Sequence, residues 1–437
     1  MVKIVFLGGC REVGRSAILI ESDNGDQIIL DYGIRFSDEE RFPQNSIFKK
    51  LKGVALTHCH IDHSGGLPYL YKDNSIPLYT NEITLRLVEI LLNDMFRISQ
   101  YPYPFGKKEL KKLVDSGKFL SYGKKYKISK NIYLTFIDAG HIPGSASILV
   151  EVDGKNILYT GDINNQFTRL IRSAKTENIP EIDALIIEST YSMKDHPNRK
   201  ELEIEFVKRI MNIIDNGGNV LIPAFGVARS QEALLILYRN NFKGRIFIDG
   251  MARKISRIFM NYPDFLKDIE AYLKAIKKAY FISERKSQQD RMFAKRTKGV
   301  FIAPSGMLKG GTALEYARSF AQDPNSAIYL VGYQIEGSPG RILLEDGILE
   351  YKTFSRRTAI EKIEKIDVNC EVEYFDFSSH SDSTHLHEYV NNLSFKDNSN
   401  IVFCVHGDNK STTTFAKELN NNSYNAISPE AGESYKI

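Results

Sequence analysis

Only four cysteines, Cys10, Cys59, Cys370 and Cys404, occur in 437 residues, and none forms a C-x-x-C pair. A zinc knuckle and a disulfide framework are therefore not signalled, and unreactive thiols in a reducing cytoplasm are the expectation. No uninterrupted apolar run reaches the roughly 18 residues that a bilayer-spanning helix needs. The opening MVKIVFLGGCREVGRS lacks the charged, apolar, small-residue layout of a secretory signal and reads directly into a strand and a glycine-rich turn. Glycine and proline, at 30 and 14, are too sparse to suggest disorder. No large charge excess is present either, and a net charge of +4 does not by itself point to nucleic acid. What remains is a chain with 42% hydrophobic residues, long enough for two domains with real cores.

Strand-like runs dominate the first part: VKIVFLG, SAILIES, QIILDYG, GVALTHCH, IPLYT, NIYLTFIDAGH, SILVEV, NILYTGD and DALIIEST. Many are β-branched or aromatic and are bounded by Gly, Asp or Asn. ITLRLVEILLNDMFRISQ carries the three- and four-residue apolar spacing of a helix. From about Tyr191 the texture becomes alternating helix and strand, as in ELEIEFVKRIMNIIDNGG, NVLIPAF, SQEALLILYRN, RIFIDG, GVFIAP and AIYLVGY, with a long helical and polar stretch to about Lys298. That alternation predicts a parallel α/β layer. Short strands return after Asp367, in EVEYFDF and NIVFCVHGD.

The strongest chemical signal is Thr57-His58-Cys59-His60-Ile61-Asp62-His63, directly after an apolar strand and before Ser64-Gly65-Gly66. Four potential ligands in six positions converge only if the backbone turns sharply off a strand end, which the glycines permit. Imidazoles with a carboxylate are what zinc takes when one position stays open to water. His141, Asp162 and His406 stand in matching settings, each ending an apolar strand beside a glycine (FIDAGH, LYTGD, FCVHG). A lone histidine in such a place is usually structural; the recurrence makes one shared cleft the better account. Asp31, in LDYG, is expected behind the ligands, accepting from an imidazole and fixing its tautomer.

The H-x-H-x-D-H run, the upstream Asp31, the isolated His141 and the Gly161-Asp162 pair resemble, in order, the motifs of the metallo-β-lactamase superfamily. The resemblance implies an αββα sandwich with two zinc ions: His58, His60 and His141 on one, Asp62 and His63 on the other, and Asp162 bridging them. Glu188 at the end of DALII, His380 after VEYFDF, and His406, with a long α/β insertion between the first two, are similar to the β-CASP branch of nucleic-acid-cutting enzymes. So are EVGRSA (12–17), IPAFGVARSQE (222–232), DGMA (249–252), PSGMLKGG (304–311) and GYQIEGSPGR (332–341). The likeness is closest to the RNA-processing members, such as the endonuclease of the cleavage and polyadenylation machinery and its prokaryotic relatives. It implies an inserted α/β β-CASP domain at 191–368, within a metallo-β-lactamase domain formed by 1–190 and 369–437. The implied activity is zinc-dependent, endonucleolytic hydrolysis of single-stranded RNA through a bridging hydroxide, leaving 5′-phosphate and 3′-hydroxyl ends. His380 is then the general acid, oriented by Glu188, and Asp62 takes part at the reacting centre. By the same resemblance His406 is a further zinc ligand that marks RNA-acting members, where DNA-acting relatives typically have valine.

In the substrate groove, the glycine-rich loop with Ser305, Gly306 and Lys309 could cradle a phosphate. Arg229 and Arg341 are similar candidates for RNA contact. The basic run Lys274–Lys298 reads first as a solvated helix face. His196 receives no role, and His385 and His387 are expected as exposed helix residues. The chain starts at the first metallo-domain strand and ends soon after His406, so the RNA grip is expected to come from the cleft or from partners. The competing readings are a DNA nuclease, a small-molecule metallo-hydrolase and a non-catalytic scaffold of a processing complex.

Overall fold

The computed structural model describes residues 1–36, 41–44, 46, 48–99, 101–355, 360–396 and 399–437. Two compact units result: one from 1–166, 173–195 and 379–437, the other from 167–172 and 196–378.

The first unit is built on two seven-stranded sheets. Alternate residues of each sheet meet in one core, with Ile4, Phe6, Ile18 and Ile20 from one and Leu134, Phe136, Ile148, Ile157 and Phe403 from the other. This is the period-2 burial that face-to-face sheets require. The opposite face of the second sheet offers Leu149, Leu158, Leu185 and Ile187 to the helices Ser383–Asn391 and Asn409–Asn421, through Leu386, Tyr389, Val390, Phe415 and Leu419. The fold is the expected αββα sandwich with an inserted α/β domain. All four cysteines are buried.

Sheet topology decides where chemistry can gather. Strands Lys155–Tyr159, Ala184–Glu188 and Ile401–Val405 are parallel neighbours, so their carboxyl ends lie on one edge. In the other sheet Gln27–Leu30 and Leu51–Ala55 are likewise parallel. Asp183 pins the first of these pairings: its carboxylate accepts from Asn156 N at 2.8 Å, Lys155 Nζ at 2.9 Å and Lys396 Nζ at 2.6 Å. Burial opposes its charge, but the Lys396 and Asn156 bonds prevail and hold the carboxyl below the usual range. A depressed folded-state value means the contribution is present above about pH 4 and is lost as pH falls through that value. Asp183→Asn should therefore cost about 2 kcal/mol at pH 7. In urea titrations the gap to the parent chain should narrow below pH 4.

The second unit carries an all-parallel six-stranded sheet flanked by helices, as the alternating pattern predicts. Two of its elements depart from the sequence reading. The long polar stretch to Lys298 is interrupted by an edge strand, Ala279–Phe281, between helices Ile269–Lys278 and Ser287–Thr297. Strands Ile348–Ser355 and Ile360–Asp367 form a two-stranded antiparallel pair. The basic run is also less solvated than expected, because Arg291 binds Asp249 at 2.7 Å and Glu315 at 2.7 Å.

Candidate metal centre

His58 and His60 lie on the turn leaving strand Leu51–Ala55, and His60 caps a single helical turn, Ile61–Ser64, that carries Asp62 and His63. The motif is thereby split into two facing groups. His58, His60, His141 and Asp162 form one cluster of potential ligand atoms, and Asp62, His63 and His406 a second. Asp162 faces both. Its Oδ2 is 3.4 Å from His58 Nε2 and 3.6 Å from His141 Nε2, while its Oδ1 is 3.2 Å from His63 Nε2 and 3.3 Å from His406 Nδ1. Two glycines make these approaches possible. A Cβ on Gly161, whose φ is +55°, would lie 2.8 Å from Thr57 Cβ, and one on Gly33 would overlap the Asp62 carbonyl.

Hydrogen bonds behind the ligands fix which nitrogen is bare. His141 Nδ1 donates to the Ser379 carbonyl at 2.8 Å, and His63 Nδ1 donates to Asp31 Oδ2 at 2.7 Å. Thr57 Oγ1 gives its one proton to Asp31 Oδ2 at 2.8 Å, so His58 Nδ1, 3.0 Å away, must donate to that hydroxyl. In the neutral rings the Nε2 lone pairs of His58, His63 and His141 all point inward. There they approach further imidazole nitrogens: His58 Nε2 is 3.1 Å from His60 Nδ1, and His63 Nε2 is 3.1 Å from His406 Nε2. Asp162 Oδ1 is buried without a hydrogen-bond donor. Converging lone pairs around an orphaned carboxylate oxygen lack only positive charge, so these residues fit divalent cations, with a donor set that suits zinc.

Electrostatics follow the same division. Burial first, then neighbouring imidazoles, hold His58 and His141 well below their ordinary values, and burial brings His60 down to about 4. Those rings stay neutral at physiological pH. His63 and His406 are pushed up: burial opposes their charge, but Asp162 outweighs it, joined by Asp31 for His63 and Asp62 for His406. Asp162 lies well below the carboxylate range, where His406 and His63 overcome the penalty of burial.

Asp31 sits where the sequence reading placed it. Fully buried, it accepts from Thr57 N, Thr57 Oγ1, His63 Nδ1 and Tyr159 OH at 2.7–2.9 Å. Asp31→Ala should weaken metal affinity by about 10–100-fold, measured by competition with a chelating dye. Thr57, Tyr159, the Ser379 carbonyl and Thr190, whose Oγ1 is 3.2 Å from His406 Nδ1, carry no role in the sequence reading. Thr57 adjoins the motif and Tyr159 stands in LYTGD, but a main-chain carbonyl has no sequence signature.

Beside the first cluster, His380 Nδ1 lies 2.9 and 3.0 Å from the two Glu188 oxygens, and its Nε2 is 3.9 Å from Asp162 Oδ2. Glu188 is completely buried and also accepts from Ile163 N at 2.8 Å. The candidate RNA-contact residues all belong to the second unit. Ser305, Gly306 and Lys309 lie between strand Val300–Ala303 and helix Gly311–Phe320, with Lys309 exposed and the Ser305 hydroxyl buried without a partner. Arg229 opens helix Arg229–Arg239 and donates to the Phe377 carbonyl. Arg341 pairs with Glu345 on its own helix. His196 binds Asp376 at 3.1 Å. The expectation of exposed histidines at 385 and 387 is corrected. Both are half-buried, held by Asp382 at 2.6 Å and Glu418 at 3.1 Å respectively.

Comparison with known proteins gives three family matches: the Beta-Casp domain over residues 230–343, the Zn-dependent metallo-hydrolase RNA specificity domain over 365–429, and the anti-Pycsar protein Apyc1 over 4–191. RNase aCSPSF2 of Saccharolobus solfataricus is 36% identical over 99% of this chain and 84% of its own. Probable RNase MJ4 of Methanocaldococcus jannaschii is 36% identical over the full length of both. Transcription termination factor FttA of Methanothermobacter thermautotrophicus is 34% identical over 95% of this chain and 69% of its own. Among solved structures, a protein of unknown function from Enterococcus faecalis V583 aligns over 99% of both chains, with a TM-score of 0.62 and 14% identity.

Proposed function

The chain belongs to the β-CASP family of metallo-β-lactamase-fold ribonucleases, and from that premise we propose that it holds two zinc ions and cuts single-stranded RNA endonucleolytically, leaving 5′-phosphate and 3′-hydroxyl ends. His58, His60 and His141 hold one ion, Asp62, His63 and His406 the other, and Asp162 lies between them. Bound zinc supplies an ionised water and neutralises charge on the phosphate. The observation that carries the reading is His380, locked by both Glu188 oxygens with Nε2 turned toward Asp162. Glu188 keeps the proton on Nδ1, so Nε2 is free to carry a second proton and pass it to the departing ribose O3′. A thioester hydrolase has less need of such an acid, since a thiolate departs more readily than an alkoxide. The presence of His406 in the second cluster favours RNA over DNA. A cytoplasmic location accords with four unpaired thiols, and no helix among the described residues is long and apolar enough to cross a membrane.

The test is turnover on one labelled sequence offered as single-stranded RNA and as DNA, with a thioester control and mapping of product ends. Internal RNA cuts with 5′-phosphate ends are expected. Equal cutting of DNA, thioester hydrolysis alone, or 2′,3′-cyclic phosphate ends would each overturn the reading.

A further inference from the structure

The first unit carries a cluster of aromatic rings next to the ligand loop, and the chemistry above gives it no task. The clue to its position lies in the backbone. Ile34 N donates to Ile61 O at 3.1 Å, so the segment after Asp31 runs alongside the helical turn that bears Asp62 and His63. His60, Ile61 and Asp62 are the part-exposed residues of that turn, and the Asp62 side chain is 30% exposed. The centre therefore opens on this side. Two residues past Ile34, Phe36 is 62% exposed. Arg35 N then bonds Arg41 O at 2.9 Å, which brings the chain back at Arg41 and Phe42.

At that return the Arg41 guanidinium lies 3.9 Å above the Tyr101 ring and 5.9 Å from Tyr103. Phe42 touches Tyr101 at 6.4 Å between centroids and Tyr69 at 6.3 Å. Tyr69 follows the ligand motif on the short helix Leu67–Leu70 and is 37% exposed, with Lys72 Nζ 5.6 Å from its ring. Nearby Arg35 is engaged with Glu12 at 2.6 Å. No carboxylate among the described residues pairs with Arg41, and its Nε is buried without an acceptor. Asp38, Glu39 and Glu40 precede it in sequence and lie outside the described residues.

Exposed rings of this size cost free energy in water unless something covers them. A stacked arginine keeps its N–H edge for an anion while its plane remains available to a ring. Rings interleaved with cations beside a phosphodiester-cleaving centre match an unpaired nucleotide strand, whose bases have apolar faces and whose backbone carries charge. We propose that the exposed rings of Phe36 and Tyr69 form a stacking platform for unpaired bases flanking the scissile phosphate, with Arg41, itself seated on the Tyr101 ring, contacting the adjoining phosphate. The inference rests on the ribonuclease reading and adds to it the way the strand is held. A platform of this kind accepts any base and rejects a closed duplex, whose faces are already stacked. It sets a preference for unpaired RNA rather than for sequence.

The test uses full-length protein loaded with zinc, in a His380→Ala background so that RNA is bound without turnover. The probe is a fluorescent 12-nucleotide single-stranded RNA, compared with the same sequence annealed to its complement. Phe36→Ala and Tyr69→Ala should each weaken single-strand binding about tenfold or more, while Tyr69→Phe retains it. Arg41→Ala should also weaken binding and reduce the salt slope by about 0.7, the value for one phosphate on a single strand. The ring variants should leave that slope as it is. Duplex affinity should not follow the ring substitutions. Equal single-strand affinity for the parent, Phe36→Ala and Tyr69→Ala would overturn the platform, even if the chain cleaves RNA normally. Loss from the ring variants that is equal on single strand and duplex would also overturn it, as would a Tyr69→Phe variant no better than Tyr69→Ala. A parent chain that neither binds nor cuts RNA would remove both readings together.

Discussion

Replacing His380 by alanine should lower kcat on RNA by about 10²–10⁴-fold, the usual worth of a positioned general acid. The expectation follows from three observations. Both Glu188 oxygens engage Nδ1, Glu188 is itself completely buried, and the remaining nitrogen lies 3.9 Å from Asp162. A ring held that way can deliver a proton from its Nε2 edge. The loss should depend on the leaving group. Ribose O3′ departs poorly without a proton, whereas p-nitrophenolate does not need one, so a p-nitrophenyl phosphodiester should lose far less rate in the same variant. Bound metal should remain, because His380 belongs to neither of the two histidine clusters assigned to the ions, although with Asp162 and Glu188 it forms a third group of potential ligand atoms. Equal losses on both esters, or loss of metal, would show that His380 acts by holding the site together.

A larger effect is expected at Asp162. It is buried, its two oxygens face different histidine sets, and Oδ1 has no hydrogen-bond donor. Asp162→Asn removes the charge that both sets share and places an amide among bare imidazole nitrogens. Activity should fall by at least about 10³, beyond the 10–100-fold expected for a supporting residue such as Asp31. Chelation of the parent chain should mimic the loss and added zinc should reverse it. In Asp162→Asn added zinc should restore little. Full activity in a chelated protein would contradict this assignment.

Much of this centre could be read from the linear chain because strand ends advertise themselves. A ligand type followed or preceded by glycine, closing an apolar run, occurs at His141, Asp162 and His406; parallel pairing gathers the ends at Asp162 and His406 on one edge, and two successive antiparallel pairings bring the strand before His141 to the same edge. Packed sheets were legible because the strands are apolar, regular and punctuated; their arrangement as an αββα sandwich was legible only through the resemblance of the ligand motifs to a known superfamily. The strand Ala279–Phe281 was hidden, being only three residues long between two helices rich in lysine and arginine. The pair Ile348–Ser355 with Ile360–Asp367 was hidden because isoleucine recurs at every third residue of IEKIEKID, a spacing unlike the period of two that marks a strand, and no Asn-Gly or Asp-Gly announces a hairpin. His385 meets Asp382 within its own helix cap, a local contact the sequence offered, whereas His387 meets Glu418 only once its helix packs against Asn409–Asn421. The backbone carbonyl that orients His141 leaves no trace in sequence at all. Side-chain chemistry at strand ends is written in the chain; orientation from behind is written in the fold.

Metal analysis of the purified chain by plasma mass spectrometry, before and after exhaustive dialysis against zinc, tests the central claim most directly. Two zinc equivalents per chain after dialysis are expected, falling below one in Asp162→Asn. A parent chain that takes up no transition metal while still cutting RNA would contradict the account.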